Sequence, residues 1–225
     1  MPPQTVPKAL YLDTSAALKF LEGRSAVHQQ AFSLISQAVN DGRWLCYLSE
    51  FALMEMVDQT QSHTYIKCEL RTGELLRTIL NRMHSRKMDL DRRQLTAAHS
   101  HVWQWYESNS DILTLQLPDN SFSDTLLLAW VMCRHSVISA PDSLHLAIAL
   151  LLGCDMLLTT DEIFRHQVNN ALPRPRTKLN TETVRVLAHI TGIAPSVLRA
   201  QASPTGHLIY AYTMEEFVEC FQPRL

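Results

Sequence analysis

Short apolar runs alternate with longer amphipathic stretches along most of the chain, a pattern typical of strands and helices that follow one another. The apolar runs predict strands at 9–12, 44–48, 112–117, 156–159 and 208–212. Helical spacing is found at 14–21, 32–39, 50–59, 123–133, 141–152 and 214–221. Such alternation favours a mostly parallel sheet covered by helices on both faces, so we expect an α/β fold.

Two segments depart from this alternation. Residues 62–107 are helical and polar, and we interpret them as a helical hairpin that projects from the core. Residues 171–206 contain two short predicted helices, at 181–190 and 195–201, and we interpret this segment as an insertion before the last strand. We therefore expect a single domain whose core comprises about 9–168 and 207–222.

Both departures carry basic residues. Arg86 and Lys87 lie in the predicted hairpin, near acidic neighbours. The insertion carries five cations and a single anion, a local charge of +4 on a chain of net charge −2: Arg174, Arg176, Lys178, Arg185 and Arg199 against Glu182. We predict nucleic-acid contacts at Arg86, Lys87, Arg174, Arg176 and Lys178, with a solvated or protein-binding surface as the alternative.

Composition narrows the class of protein. The 225 residues are 46% hydrophobic and 19% charged, which is ordinary for a globular chain, and we expect a cytoplasmic protein without a membrane segment. The five cysteines are widely spaced and contain no CxxC pair, so they predict neither a disulfide framework nor a thiolate zinc site. The histidines show no HExxH spacing, and we interpret His145 as a hydrogen-bonded helix residue instead of a metal ligand.

Four acidic residues stand where such a fold places strand ends or helix starts: Asp13, Glu55, Asp142 and Asp161. Asp13 and Asp161 each follow an apolar run, so both side chains should reach the crevice outside the carboxyl ends of the strands. Carboxylates that meet repel one another unless cations neutralise them, and oxygen ligand sets suit Mg²⁺ or Mn²⁺. The pattern therefore predicts a divalent-metal site for phosphodiester chemistry.

Each acid also has an ordinary structural interpretation. Asp13 is well placed to cap the helix that begins at Thr14, and Asp161 suits a turn or a cap ahead of Ile163 and Phe164. Asp142 follows Pro141 in a first helical turn, where the helix dipole favours a negative charge. Glu55 lies among apolar residues of its helix, where a glutamate needs either a partner or contact with solvent.

Four motifs carry a resemblance to a known family. They are YLDTSAALK, which contains Asp13; SEFALMEM, which contains Glu55; DSLHLAIAL, which begins at Asp142; and LLTTDEIF, which contains Asp161. In this order, with a helical segment between the second and the third, they resemble PIN-domain nucleases, and most closely the VapC-type toxins of bacterial toxin–antitoxin pairs. The resemblance implies a PIN-like fold over roughly residues 9–168.

The resemblance also implies a function. Asp13, Glu55, Asp142 and Asp161 would be the metal-binding and catalytic acids of an endoribonuclease that uses Mg²⁺ or Mn²⁺. Thr14 and Thr160 would be the supporting hydroxyl residues. The expected partners are an RNA substrate, a small antitoxin protein and a second copy of the chain.

Three alternatives stay open on the sequence. The first is a PIN-like nuclease of RNA processing or DNA repair that has no antitoxin. DNA stays open as a substrate because nothing in the motifs reads a 2′-hydroxyl. The second is a non-catalytic PIN module that binds RNA or protein. The third is a phosphotransferase with an aspartyl nucleophile at Asp13, which the missing second acid in the DTS sequence disfavours.

Overall fold

The computed structural model describes residues 7–85, 88–135, 138–171, 178–201 and 209–222. In these residues, five strands form one entirely parallel sheet: β1 (Lys8–Leu12), β2 (Trp44–Leu48), β3 (Leu113–Leu115), β4 (Met156–Leu158) and β5 (Tyr210–Tyr212). Their order across the sheet is β3-β2-β1-β4-β5. The predicted α/β fold with a parallel sheet is therefore confirmed.

Helices connect the strands and flank the sheet. They are α1 (Thr14–Glu22), α2 (Ala26–Asn40), α3 (Glu50–Arg71), α4 (Leu76–His84), α5 (Arg92–Glu107), α6 (Phe122–His135), α7 (Ala140–Leu151), α8 (Glu162–Ala171), α9 (Lys178–Thr191), α10 (Pro195–Gln201) and α11 (Met214–Phe221). Among the described residues, none of the helices combines the length and the apolar composition needed to cross a bilayer.

Two apolar clusters, one on each face of the sheet, form the core. Successive side chains of a strand point to opposite faces, so Tyr11 enters one cluster while Leu10 and Leu12 enter the other. The Tyr11 cluster is completed by α6, α7, α8 and α9, and the other by α1, α2, α3, α5 and α11. The central strand β1 is buried on both faces, as expected for a parallel sheet.

The register of the strands defines one edge of the sheet. Leu12, the last residue of β1, lies opposite both Leu48 and Leu158, the last residues of β2 and β4. The three strands therefore end at the same level. The polar residues that follow them emerge side by side, and several cap the helices that begin there.

The structure refines several predicted elements. The bounds of β2 and α11 are those predicted, whereas α3 continues to Arg71 and α8 was not predicted. Strand β3 is shorter than predicted because its partner β2 ends at Leu48, where Ser49 begins the cap of α3. The two helices predicted in the insertion are present as α9 and α10.

The two unusual segments pack against the core. Residues 62–107 consist of the second half of α3 with α4 and α5, three helical pieces instead of a two-helix hairpin, and Val102 of α5 is fully buried in the core. Helix α9 buries Val184, Val186 and Leu187, and packs against α6. Helix α9 of the insertion therefore belongs to the apolar cluster that contains Tyr11.

Candidate functional site

Asp13 lies directly after β1 and is almost entirely buried, at 4% exposure. Its carboxylate caps α1 by accepting a hydrogen bond from the Ala16 amide at 2.8 Å. It also accepts hydrogen bonds from the hydroxyls of Thr159 at 2.6 Å and Ser15 at 2.9 Å. Burial raises the pKa of Asp13 in spite of the opposing effects of His145 and these donors. The capping role and a role in the crevice therefore coexist.

Glu55 is held by two side chains from distant parts of the chain. The Thr14 hydroxyl donates to the Glu55 carboxylate at 2.5 Å, and His145 Nε2 lies 2.8 Å from the same oxygen. Burial by itself would raise the pKa of Glu55, but the bonds from His145 and Thr14 outweigh it and lower the pKa. The Glu55 side chain is therefore kept in its charged form at the edge of the cavity.

The His145 ring continues this network into the core. Its Nδ1 atom lies 2.8 Å from the Tyr11 hydroxyl, which in turn lies 2.7 Å from the Ser49 hydroxyl. When Nε2 donates to Glu55, the Tyr11 hydroxyl can either donate to Nδ1 or accept from it, and in both cases it bridges the ring to Ser49. His145 is thus the hydrogen-bonded helix residue that the sequence predicted, and its partner is one of the four acids.

Asp142 and Asp161 begin two neighbouring helices. Asp142 lies in the first turn of α7, where the Ser139 hydroxyl donates to its carboxylate at 2.6 Å. Asp161 accepts a hydrogen bond from the Phe164 amide at 2.9 Å at the start of α8. Partial burial raises the pKa of Asp142, opposed by Ser139 and reinforced by the negative charges of Asp161 and Glu55. Asp142 therefore lies within electrostatic range of two of the other three acids.

All four predicted acids line one cavity of about 570 Å³ at the carboxyl ends of the strands, together with Thr14, Ser15, His145 and Thr160. The structure therefore brings together Asp13, Glu55, Asp142 and Asp161, which are separated by as much as 148 positions in the sequence. This is the crevice in which open parallel sheets bind their ligands.

Oxygen donors and unbalanced negative charge suit a hard divalent cation. Among the described residues, however, no group of three or more His, Cys, Asp or Glu side chains is arranged to hold a metal ion. Each of the four predicted acids accepts a hydrogen bond from a helix amide, a hydroxyl or His145. The donor chemistry fits Mg²⁺ or Mn²⁺, while the side chains do not by themselves close around one ion.

Three residues near the acids were not predicted from the sequence. Thr159, not Thr160, supplies the hydroxyl that contacts Asp13, and Ser15 bonds both to Asp13 and to the Thr160 amide. Ser139 holds Asp142. The only signal for Thr159 and Ser15 was their position beside Asp13 and Asp161 in the DTS and TTD sequences.

Other predicted residues lie elsewhere. Two neighbouring acids, Asp155 and Glu162, are exposed, and Asp155 accepts a bond from the Ala9 amide at 3.0 Å at the opposite edge of the sheet. The predicted nucleic-acid contacts Arg86, Lys87, Arg174 and Arg176 fall outside the described residues. For Lys178 the description covers the backbone, at the start of α9.

The fold and this crevice define an α/β protein with an acidic cavity at the carboxyl edge of its sheet. No protein-family model matches the chain, and comparison with curated proteins and with solved structures likewise gives no match.

The buried network makes a testable contribution to stability. The substitution Tyr11→Phe removes the hydroxyl between Ser49 and His145 and leaves both polar groups buried without that partner. We expect a loss of about 1–3 kcal/mol in the free energy of unfolding, measured by urea denaturation. Tyr47→Phe, on the neighbouring strand and only partly buried, is the matched control and should cost less than about 0.5 kcal/mol. Equal losses for the two variants would show that the network adds nothing.

Proposed function

We propose that this protein is a divalent-metal-dependent endoribonuclease of the PIN type that acts as the toxin of a VapBC-like toxin–antitoxin pair. The observation that supports it best is the meeting of Asp13, Glu55, Asp142 and Asp161 around one cavity at the carboxyl edge of a parallel sheet. These are the acids that the four motifs assign to the metal site. The preference for RNA over DNA is taken from the resemblance of the motifs. The antitoxin partner and the dimer are taken from it as well.

The residues around the cavity would have different roles in such a site. Asp13, Glu55, Asp142 and Asp161 would hold the ion, which supplies an activated water at neutral pH and neutralises charge on the phosphate oxygens. Thr14 and His145 keep Glu55 oriented and charged. Ser15 and Thr159 orient Asp13, and Ser139 orients Asp142. The acids therefore enter the reaction with their positions already fixed by neighbouring side chains.

The deciding experiment measures cleavage of a labelled single-stranded RNA by the purified protein in Mg²⁺, in Mn²⁺ and in EDTA, with DNA of the same sequence as a second substrate. We expect RNA to be cut with either metal and to stay intact in EDTA. Intact RNA in both metals, tested with total cellular RNA as well as oligonucleotides, would contradict the proposal.

One observation favours a second candidate, a non-catalytic PIN module: the described side chains do not form a closed set of ligands. Titration with Mn²⁺, followed by calorimetry and electron paramagnetic resonance, separates the two. A nuclease binds the ion at the acid cavity, and binding is abolished in Asp142→Asn, whereas the module shows no such site. A small open reading frame beside the gene, whose product blocks cleavage, would support the toxin assignment.

A further inference from the structure

A second cavity adjoins the acid cavity. It has a volume of about 360 Å³ and lies between the end of α1, the second half of α3 and α5. Leu18, Glu22 and His63 line both cavities. The two cavities therefore share a wall, and we call them together the groove.

The charge of the groove changes along its length. Beyond the shared residues, the charged side chains that line the second cavity are Arg24 and Lys67, both exposed and without an ion-pair partner among the described residues. Glu22, between the cavities, is paired with Lys19 at 3.2 Å. The pKa of Glu22 is lowered although burial opposes this, because Lys19, Arg24 and His63 all act on it. Lys19 and Arg24 therefore offset the charge of Glu22, which both cavities share.

An acid cavity alone repels a polyanion, so a nucleic-acid substrate needs cations close by. Arg24 and Lys67 supply two positive charges in the cavity that adjoins the acid cavity, and His63 and His101 line it with them. Leu18, Leu21 and the alanines of α5 provide an apolar floor. Cations combined with flat and apolar surfaces are the features by which proteins hold single strands without reading their sequence.

We propose that the second cavity binds the phosphodiester backbone of a single-stranded substrate next to the phosphate held in the acid cavity, with Arg24 and Lys67 on its phosphates. This inference rests on the proposed function, since it assigns the path of the strand that is cleaved. Phosphate contacts carry no sequence information, so the groove contributes affinity and orientation instead of specificity.

The test compares the double variant Arg24→Gln/Lys67→Gln with the control Lys8→Gln/Arg43→Gln. The control removes the same charge from the opposite edge of the sheet, where Lys8 begins β1 and Arg43 precedes β2. Binding of a fluorescein-labelled 12-nucleotide RNA, and of DNA of the same sequence, is followed by anisotropy in EDTA over a range of KCl concentrations. Melting curves check that both variants are folded.

For Arg24→Gln/Lys67→Gln we expect binding roughly 10-fold weaker at low salt, and a log–log salt slope shallower by about 0.7 for each phosphate that the protein no longer neutralises. The control should match the unsubstituted protein. RNA and DNA should lose affinity alike, because they share the phosphates. An unchanged slope in the double variant, an equal loss in the control, or no binding by the unsubstituted protein would overturn the inference.

Cleavage in Mn²⁺ separates this inference from the proposed function. If the protein cleaves RNA, the double variant should show a raised KM that accounts for most of its loss in kcat/KM. Cleavage with an unchanged KM and an unchanged salt slope would overturn the inference and leave the nuclease standing. Weakened binding in a protein that cleaves no RNA would overturn the nuclease and leave a strand-binding groove.

Discussion

A protein that carries Asp13→Asn or Asp142→Asn is expected to cleave RNA more than about 100-fold more slowly than the unsubstituted protein, because loss of even a supporting partner of a metal ligand costs 10–100-fold. The amide keeps the shape of the side chain and removes the charge that holds the ion. Initial rates in Mn²⁺ measure the effect. Asp155→Asn, at the opposite edge of the sheet, is the matched control and should keep its rate within about twofold.

The same variants should remain folded. In Asp13→Asn the new side chain retains a carbonyl oxygen for the Ala16 amide, and asparagine is as good a helix cap as aspartate. The Thr159 hydroxyl, which donates to Asp13, can turn to accept from the new amide. The loss of activity therefore reports on charge and not on unfolding.

Melting temperatures measured in EDTA show whether the charges of Asp13 and Asp142 stabilise or destabilise the metal-free protein. The pKa values of Asp13 and Asp142 are raised, chiefly by burial, so the stability these groups contribute is present at low pH and lost as the pH rises through their pKa values in the folded protein. The melting temperature of each asparagine variant should therefore equal or exceed that of the unsubstituted protein at pH 7, with the difference shrinking toward pH 4. A lower melting temperature for both variants at pH 7 would assign structural roles to these acids.

Local patterns were sufficient for most of the fold. The apolar runs predicted β2 and the helical spacing predicted α11 with the bounds that the structure shows, because β2 is an apolar run that buries alternate side chains and α11 buries one face. The parallel sheet followed from the alternation of elements. Helix α8 was not predicted, because the stretch after Asp161 is mostly polar and Asp161 suits a turn as well as a helix cap.

The hydrogen-bond partners of the four acids could not be predicted without knowledge of the fold. Thr159 reaches Asp13 across 146 positions because β4 pairs with β1 in a register that ends both strands together. His145 reaches Glu55 across 90 positions because α7 and α3 both begin at the carboxyl edge of the sheet. A sequence pattern indicates which residue types belong in a crevice, while strand order decides which of them touch.

The two cations of the second cavity were even less predictable from the sequence than the partners of the acids. Arg24 lies in the turn after α1 and Lys67 in the second half of α3, and neither belongs to a charge run. They face one cavity because α5 packs back on α3 beside α1. Sequence reasoning instead selected the clustered cations of the insertion, because clustering along the chain is the only proximity that a sequence displays.

The largest loss of stability is expected for a substitution in α11, the helix that follows β5. Phe217 of α11 is fully buried and meets Trp44 of β2 with ring centroids 5.4 Å apart, as well as Tyr212 and Phe221 at 6.2 and 4.9 Å. Phe217→Ala removes this ring from the core and should cost about 3–5 kcal/mol of unfolding free energy. That is a large part of the roughly 5–15 kcal/mol by which a domain is stable, and urea denaturation measures it.

The shape of the urea unfolding curve of Phe217→Ala tests whether β5 and α11 unfold cooperatively with the candidate site. Because β5 pairs with β4 and α11 packs against α2, the loss at Phe217 should shift the whole protein to a lower midpoint, with far-UV circular dichroism and tryptophan fluorescence moving together. Glu219→Ala, exposed on the same helix, should leave the unfolding free energy within about 0.5 kcal/mol of its original value. A separate early transition in Phe217→Ala, with the main transition unmoved, would show that the last strand and helix are an appendage, and that the crevice holding Asp13 and Asp161 is stable without them.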